Sequence, residues 1–219
     1  MKKIKTLTKV LNSGVVAVLR GDSAEEVAEM AERTIEGGIQ AVEITMTVPY
    51  ALRAIEKLAV KYAGSEGVTI GVGTVLDPET ARSAILSGAE FVVAPTFYAP
   101  TVTLCNRYAV PIMPGAMTIQ EMQTALEYGV DVVKLFPGNL FSPDMIKSVH
   151  GPLPQVNLMP TGGVDLNNMK QWLEAGAVAV GIGSDLTKEA VKQKDYSLVT
   201  QKAKAYMDVY RAYKAEKSS

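Results

Sequence analysis

The chain has 219 residues and is 47% hydrophobic, enough apolar material for a sizeable core, which excludes a disordered or fibrous protein. Its formal net charge is −1 and no basic run is longer than the opening "KKIK", so the electrostatic footprint expected for nucleic acid or an anionic membrane is missing. A single cysteine, Cys105, excludes an internal disulfide and a cysteine zinc cluster. With no apolar stretch long enough for a signal peptide or membrane span, the chain reads as cytoplasmic, and its partner as a small molecule.

Taken in order, the sequence opens with an amphipathic segment, about residues 3 to 13, expected to form a helix ahead of the first strand. The β-branched run "VVAVLR" (15 to 20) follows, then a helix announced by the capping box Ser23 to Glu26 and stopped at "EGG" (36 to 38). "AVEIT" (41 to 45) and "TIGVG" (69 to 73) are the next strand candidates. Asp77 before Pro78 starts another helix, and "SGA" (87 to 89) ends it. After "EFVVA" (90 to 94), Cys105 lies in "TVTLCNRYAV" and reads as a packed helix residue. "VPIMP" (110 to 114) precedes the box Thr118 to Glu121 and the stop "EYG" (127 to 129). "VVKLF" (132 to 136) precedes Ser142-Pro143, a helix start, and His150, a cap at that helix's C-terminal end. "VNLMP" (156 to 160) leads to Asp165, a further start signal, and to Val164, Met169, Trp172 and Leu173, which read as packing. "EAGA" (174 to 177) closes that helix. "VAVGIG" (178 to 183) is the eighth strand candidate, and a last helix, about 196 to 213, runs into a loose polar tail at 214 to 219.

Strict alternation of apolar strands with amphipathic helices calls for a parallel sheet covered by helices, an open sheet or a closed barrel. Eight units in a chain this long, with no linker, favour one domain over 1 to 219, a (β/α)8 TIM barrel with an extra N-terminal helix. Such a barrel gathers function at the C-terminal ends of its strands. The unusual residues obey that demand. Arg20 closes the first run, Glu43 lies late in the second, Thr74 follows the third, Lys134 is late in the sixth, Thr161-Gly162-Gly163 follows the seventh, and Gly183-Ser184 follows the eighth.

Alternation places Lys134 and Glu43 on the inner face if Val133, Leu135, Val42 and Ile44 face the helices. Both lie on even-numbered strands, whose inward residues share layers, so the two are expected to meet across the interior. One reading is a buried ion pair that only fills space, but such pairs are weak stabilisers. The other is chemical. A buried amine that sheds its proton attacks ketones to give a Schiff base, whose imine withdraws electrons from a neighbouring carbon–carbon bond, with Glu43 shuttling protons. The glycine turns at 161 to 163 and 183 to 184 read either as plain tight turns or, with the helix that follows Ser184, as a phosphate cradle. No nucleophile elbow, complete dinucleotide fingerprint or P-loop is present.

In this order and spacing, "VEIT", "GVGTV", "MPGAMT", "KLFPG", "PTGGV" and "GIGS" resemble the 2-keto-3-deoxy-6-phosphogluconate (KDPG) aldolase family, across essentially the whole chain. "VVAVLRGDS" and "GPLPQVNLMPTGGV" most resemble its bifunctional 4-hydroxy-2-oxoglutarate and KDPG branch. The resemblance implies a class I aldolase, a homotrimer, with no metal or organic cofactor. It implies Lys134 as the Schiff-base lysine and Glu43 as general acid and base. It assigns Thr74, Thr161 and Arg20 to the pyruvate carboxylate, Gly162, Gly163 and Ser184 to phosphate, beside Gly183 of the same turn, Phe136 to apolar cover, and Pro95 to the proline after strand four. Two departures stand out: Ala94-Pro95 where many relatives read Ser-Pro, and "TMTVP" (45 to 49) where one branch carries an arginine. Carboxylate binding then falls to Arg20, or to threonines and backbone. The galactonate epimer is the nearer alternative substrate, and a barrel kept only for binding or scaffolding is the alternative from another class.

Overall fold

The computed structural model describes residues 1–218, Ser218 through its backbone alone; Ser219, the end of the expected tail, lies outside the described residues. The chain opens with helix α1 (Lys2–Ser13). Strands β1 (Val15–Leu19), β2 (Ala41–Thr45), β3 (Thr69–Gly73) and β4 (Phe91–Val93) then alternate with α2 (Ala24–Glu36), α3 (Ala51–Lys61), α4 (Pro78–Leu86) and α5 (Ala99–Arg107). Next come β5 (Ile112–Met113), β6 (Gly115–Ala116), α6 (Ile119–Glu127), β7 (Val133–Leu135) and α7 (Asp144–His150). The chain ends with β8 (Leu158–Pro160), α8 (Met169–Glu174), β9 (Val180–Ile182), α9 (Ser184–Gln193) and α10 (Ser197–Ser218).

This is an α/β fold of parallel strands. Six form one sheet in the order β5-β4-β3-β2-β1-β9, and three form a second in the order β6-β7-β8. The expected fifth strand is thus two short ones. Pro114, between them, has no N–H to give to a ladder, while its carbonyl accepts from the Lys134 amide at 2.9 Å. The sheets touch again at their other ends, where Thr161 bridges Gly181 and the Val178 amide donates to the Leu158 carbonyl at 3.0 Å.

Alternation along the strands divides the core into two shells. Val42, Ile44, Val133 and Leu135 belong to the shell packed against the helices. Val16, Ala41, Phe91, Met113, Val132 and Met159 form the inner one, joined by Val10 and Leu7 of α1, which packs where the strands begin. Fully burying a side chain of this size contributes roughly 1.5–3 kcal/mol. Trp172 and Cys105 lie in the outer shell, as packing residues.

The helix starts mostly follow the local chemistry. Asp77 caps α4 through the Thr80 amide at 2.6 Å, and Thr118 and Glu121 form a full capping box. The Ser23 box is half formed: Ser23 accepts from the Glu26 amide, but the Glu26 carboxylate turns to the Asp22 amide at 2.6 Å and the Tyr196 hydroxyl at 2.7 Å. Ser142 makes no side-chain cap; α7 starts after Pro143, and the Ser142 backbone carbonyl takes the Met145 amide instead. His150 ends α7, and its ring meets the Val156 carbonyl at 3.0 Å. The segment expected as a loose tail from 214 continues α10 to Ser218, aided by Glu216, which reaches Lys170 at 2.8 Å. No helix among the described residues is long and apolar enough to cross a membrane.

Candidate active site

Glu43 pairs in register with Val18 of β1 and Gly71 of β3, two positions beyond Ala41, and therefore projects from the same inner face. It is 0% exposed, and neither carboxylate oxygen has a hydrogen-bond partner among the described residues. Gly73 makes room for it, since a Cβ at that position would lie 1.6 Å from Glu43 Oε1. Burial pushes the Glu43 carboxyl above its ordinary range, against the opposing pull of Lys134 and then Arg20.

Lys134 lies between Gly115 of β6 and Met159 of β8, on the face it shares with Val132, and is 4% exposed. Its Nζ sits 4.7 Å from the centre of the Phe136 ring. No carboxylate of the described residues stands within ion-pair distance of it, so the expected pair with Glu43 is a proximity felt electrostatically rather than a salt bridge. A pair retained for stability would satisfy both partners. This one leaves the carboxylate unsatisfied, an arrangement suited to a group that must move protons.

Other expected residues ring the same ends of the strands. Thr161 is buried beside β9, where the absence of a side chain at Gly181 admits it: a Cβ there would come within 2.3 Å of Thr161 Oγ1. Gly162 and Gly163 follow with φ of 91° and 73°, in the left-handed region that suits glycine. Phe136 borders Gly162. Thr74 has φ of 57°, an outlier for a β-branched residue that costs roughly 1–3 kcal/mol and marks a strained position directly after β3. Pro95 is half-buried after β4, with its carbonyl against Gly115. Gly183 and Ser184 open α9 with no side-chain cap, leaving first-turn N–H groups unclaimed by side chains. Arg20 is exposed and donates from Nη1 to Thr47 Oγ1 at 2.9 Å.

Three features escaped the sequence reading. Gly73 is selected by Glu43, a contact invisible until β2 and β3 are in register. Thr45 and Thr47 form a hydroxyl pair, 2.8 Å apart, beneath Arg20. Asp185, next to Ser184, is fastened by Tyr206, by Lys202 at 3.1 Å and by Lys188 at 3.3 Å. No group of His, Cys, Asp and Glu among the described residues is placed to hold a metal ion. A cleft of about 730 Å³ lies at the opposite end of the strands, between α1 and residues 62 to 68, where Lys9 already bonds the Ser65 and Val68 carbonyls.

The family model for KDPG and KHG aldolase matches residues 6–202. The chain belongs to the KDPG and KHG aldolase family. It is accordingly a carbon–carbon lyase. It is 35% identical over 188 residues to the 2-dehydro-3-deoxy-phosphogluconate aldolase of Treponema pallidum, covering 85% of this chain and 88% of that one. The 2-dehydro-3-deoxy-6-phosphogalactonate aldolase of Escherichia coli is 31% identical over 198 residues, with 90% and 94% covered. Among solved structures, the KDPG aldolase of Legionella pneumophila, with pyruvate captured at low pH as a covalent carbinolamine, has a TM-score of 0.83 at 28% identity, covering 92% of this chain and 97% of that one.

Proposed function

We propose that this aldolase reversibly cleaves 2-keto-3-deoxy-6-phosphogluconate to pyruvate and glyceraldehyde 3-phosphate, and 4-hydroxy-2-oxoglutarate to pyruvate and glyoxylate, through a Schiff base on Lys134. The observation that carries the reading is the pairing, on one inner face, of a buried lysine with a wholly buried carboxyl whose oxygens have no partner among the described residues. The Lys134 amine adds to the C2 ketone, and the carbinolamine loses water to give the imine. Glu43, whose carboxyl burial pushes above its ordinary range, is placed to give the departing hydroxyl its proton. As a carboxylate it then takes the C4 hydroxyl proton while the C3–C4 electrons flow into the imine. The aldehyde leaves, the enamine regains a proton at C3 from Glu43, and water releases pyruvate.

Arg20, Thr74 and Thr161 hold the substrate carboxylate, and Phe136 and Pro95 screen the imine from water. Gly162, Gly163, Gly183 and Ser184 bind the phosphate through backbone N–H groups, the hydroxyl and the start of α9, a ten-residue helix. Asp185, beside that turn, has its negative charge engaged by Tyr206 and two lysines.

The two sheets act as one closed eight-stranded barrel in a single domain; chain continuity through Pro114 and the Thr161–Gly181 bridge support this. A homotrimer fits the exposed apolar side chains Leu86, Tyr98, Tyr108 and Tyr128. The relative named for the galactonate compound favours a second reading, in which the preferred substrate is the C4 epimer. Turnover of the two epimers in a pyruvate-coupled assay decides between them. Borohydride with pyruvate tests the chemistry: a reduced adduct mapped to Lys134 is expected, and an adduct elsewhere, or full activity in Lys134→Ala, would overturn it.

A further inference from the structure

Arg20 follows β1, whose neighbours are β2 on one side and β9 on the other. Its long side chain could therefore serve an anion on either side: one near Glu43 and Thr74, or one at the turn of Gly183 and Ser184. Two hydroxyls decide the matter. Thr45 is fully buried on the inner face of β2, two positions beyond Glu43. Its Oγ1 lies 2.8 Å from Thr47 Oγ1, which in turn accepts from Arg20 Nη1 at 2.9 Å. A guanidinium has five N–H donors in a rigid fork, so one bond to Thr47 leaves an edge free for a planar, two-oxygen partner. No carboxylate of the described residues lies within ion-pair distance of Arg20, so its charge stands ready for a ligand. The bond to Thr47, just beyond β2, places the guanidinium on the β2 side.

We propose that Thr47, seated on Thr45, is a positioning residue that aims Arg20 at the substrate carboxylate and away from the phosphate turn. The proposal rests on the Schiff-base reading of Lys134. Thr47 lies in the stretch "TMTVP", two residues beyond the end of β2. Here the threonine contributes no charge of its own. It fixes the direction of a charge supplied by the neighbouring strand. Because pyruvate, the phosphorylated substrate and the unphosphorylated one all carry that carboxylate, a misdirected Arg20 weakens all three alike.

The test compares the enzyme with Thr47→Val, Thr47→Ser, Arg20→Ala and the double variant Thr47→Val/Arg20→Ala. Two readings are taken: the pyruvate concentration that half-saturates borohydride trapping on Lys134, and steady-state constants for KDPG and 4-hydroxy-2-oxoglutarate. Thr47→Val should raise half-saturating pyruvate and both KM values by about tenfold, the scale of one hydrogen bond to a charged group. The change in kcat should be smaller. Thr47→Ser, which keeps the hydroxyl, should restore near-normal values and shows that the position tolerates change. In the Arg20→Ala background Thr47→Val should add little, because the two act as a unit.

Unchanged half-saturating pyruvate in Thr47→Val, with the adduct still on Lys134, would overturn this proposal alone. So would a KM rise confined to the phosphorylated substrate, which would assign Arg20 to the phosphate. An undiminished Thr47→Val effect in the double variant would likewise reduce Thr47 to a structural residue. Absence of any Lys134 adduct in the unmodified enzyme would overturn the Schiff-base reading, and this one with it.

Discussion

Replacing Glu43 by glutamine keeps the shape of the side chain and removes its ionisable proton, and the expected effects on turnover and stability have opposite signs. Turnover should fall by about 10² to 10⁴, the usual contribution of a positioned acid and base. Stability should rise at neutral pH. Both oxygens of Glu43 are buried without partners among the described residues, and burial lifts its pKa above the ordinary 4.5 despite Lys134 and Arg20. Between the unfolded value near 4.5 and the higher folded value, the folded protein holds a proton that the unfolded chain has lost. Stability therefore falls as pH rises through that window, by about 1.4 kcal/mol for each unit separating the two values, and is level above it. Glutamine has no such loss. Thermal melts from pH 4 to pH 8 should coincide for the two proteins at the acid end and separate above it, with the variant higher. The separation should be roughly 2–4 °C per kcal/mol for a domain of this size. A variant that melts lower at every pH while keeping near-normal turnover would refute the reasoning and make Glu43 a structural partner of Lys134.

Ser184→Glu puts a like charge at the proposed phosphate site, so KDPG cleavage should fall far more than 4-hydroxy-2-oxoglutarate cleavage; equal losses in steady-state assays would mean the phosphate binds elsewhere. Gly73→Ala would set a Cβ 1.6 Å from Glu43 Oε1 and force that carboxyl aside. Turnover should drop by about 10²-fold, the scale of an ångström-level misplacement, and a kcat close to normal would show that Glu43 need not sit where it does. Burial pushes the Cys105 thiol up to about 12. At pH 8 a thiol reagent should spare the native protein and label it fully in denaturant, whereas rapid native labelling would contradict its place in the core.

The order of strands and helices was legible because each apolar run is short, β-branched and bounded by glycines or helix starts. The inward aim of Glu43 and Lys134 was legible for a related reason: a two-residue period fixes the face once the helix side is known. The split of the fifth run was readable in principle from Pro114, whose missing N–H forbids a continuous ladder. What no single stretch could reveal were contacts made by register. Gly73 answers to Glu43 and Gly181 to Thr161 only after neighbouring strands align. The Ser142 cap failed because the following proline carries the turn, and only the backbone of Ser142 is used. "TMTVP" stood out in the sequence, but the bonds joining Thr45, Thr47 and Arg20 form only once β1 and β2 lie side by side.

The pairing of β1 with β9 also governs how the protein must be made. Val15 aligns with Val180, Val16 with Gly181 and Ala17 with Ile182, so the first strand waits for its second neighbour until nearly the whole chain has been translated. At roughly 5–20 residues per second that interval is on the order of ten seconds. Through it the nascent chain carries an apolar strand with one unpaired edge, a template for wrong partners. Ribosome stalling or premature termination before residue 180 would leave that edge open for good, and such fragments should need chaperones or proteolysis to stay out of aggregates.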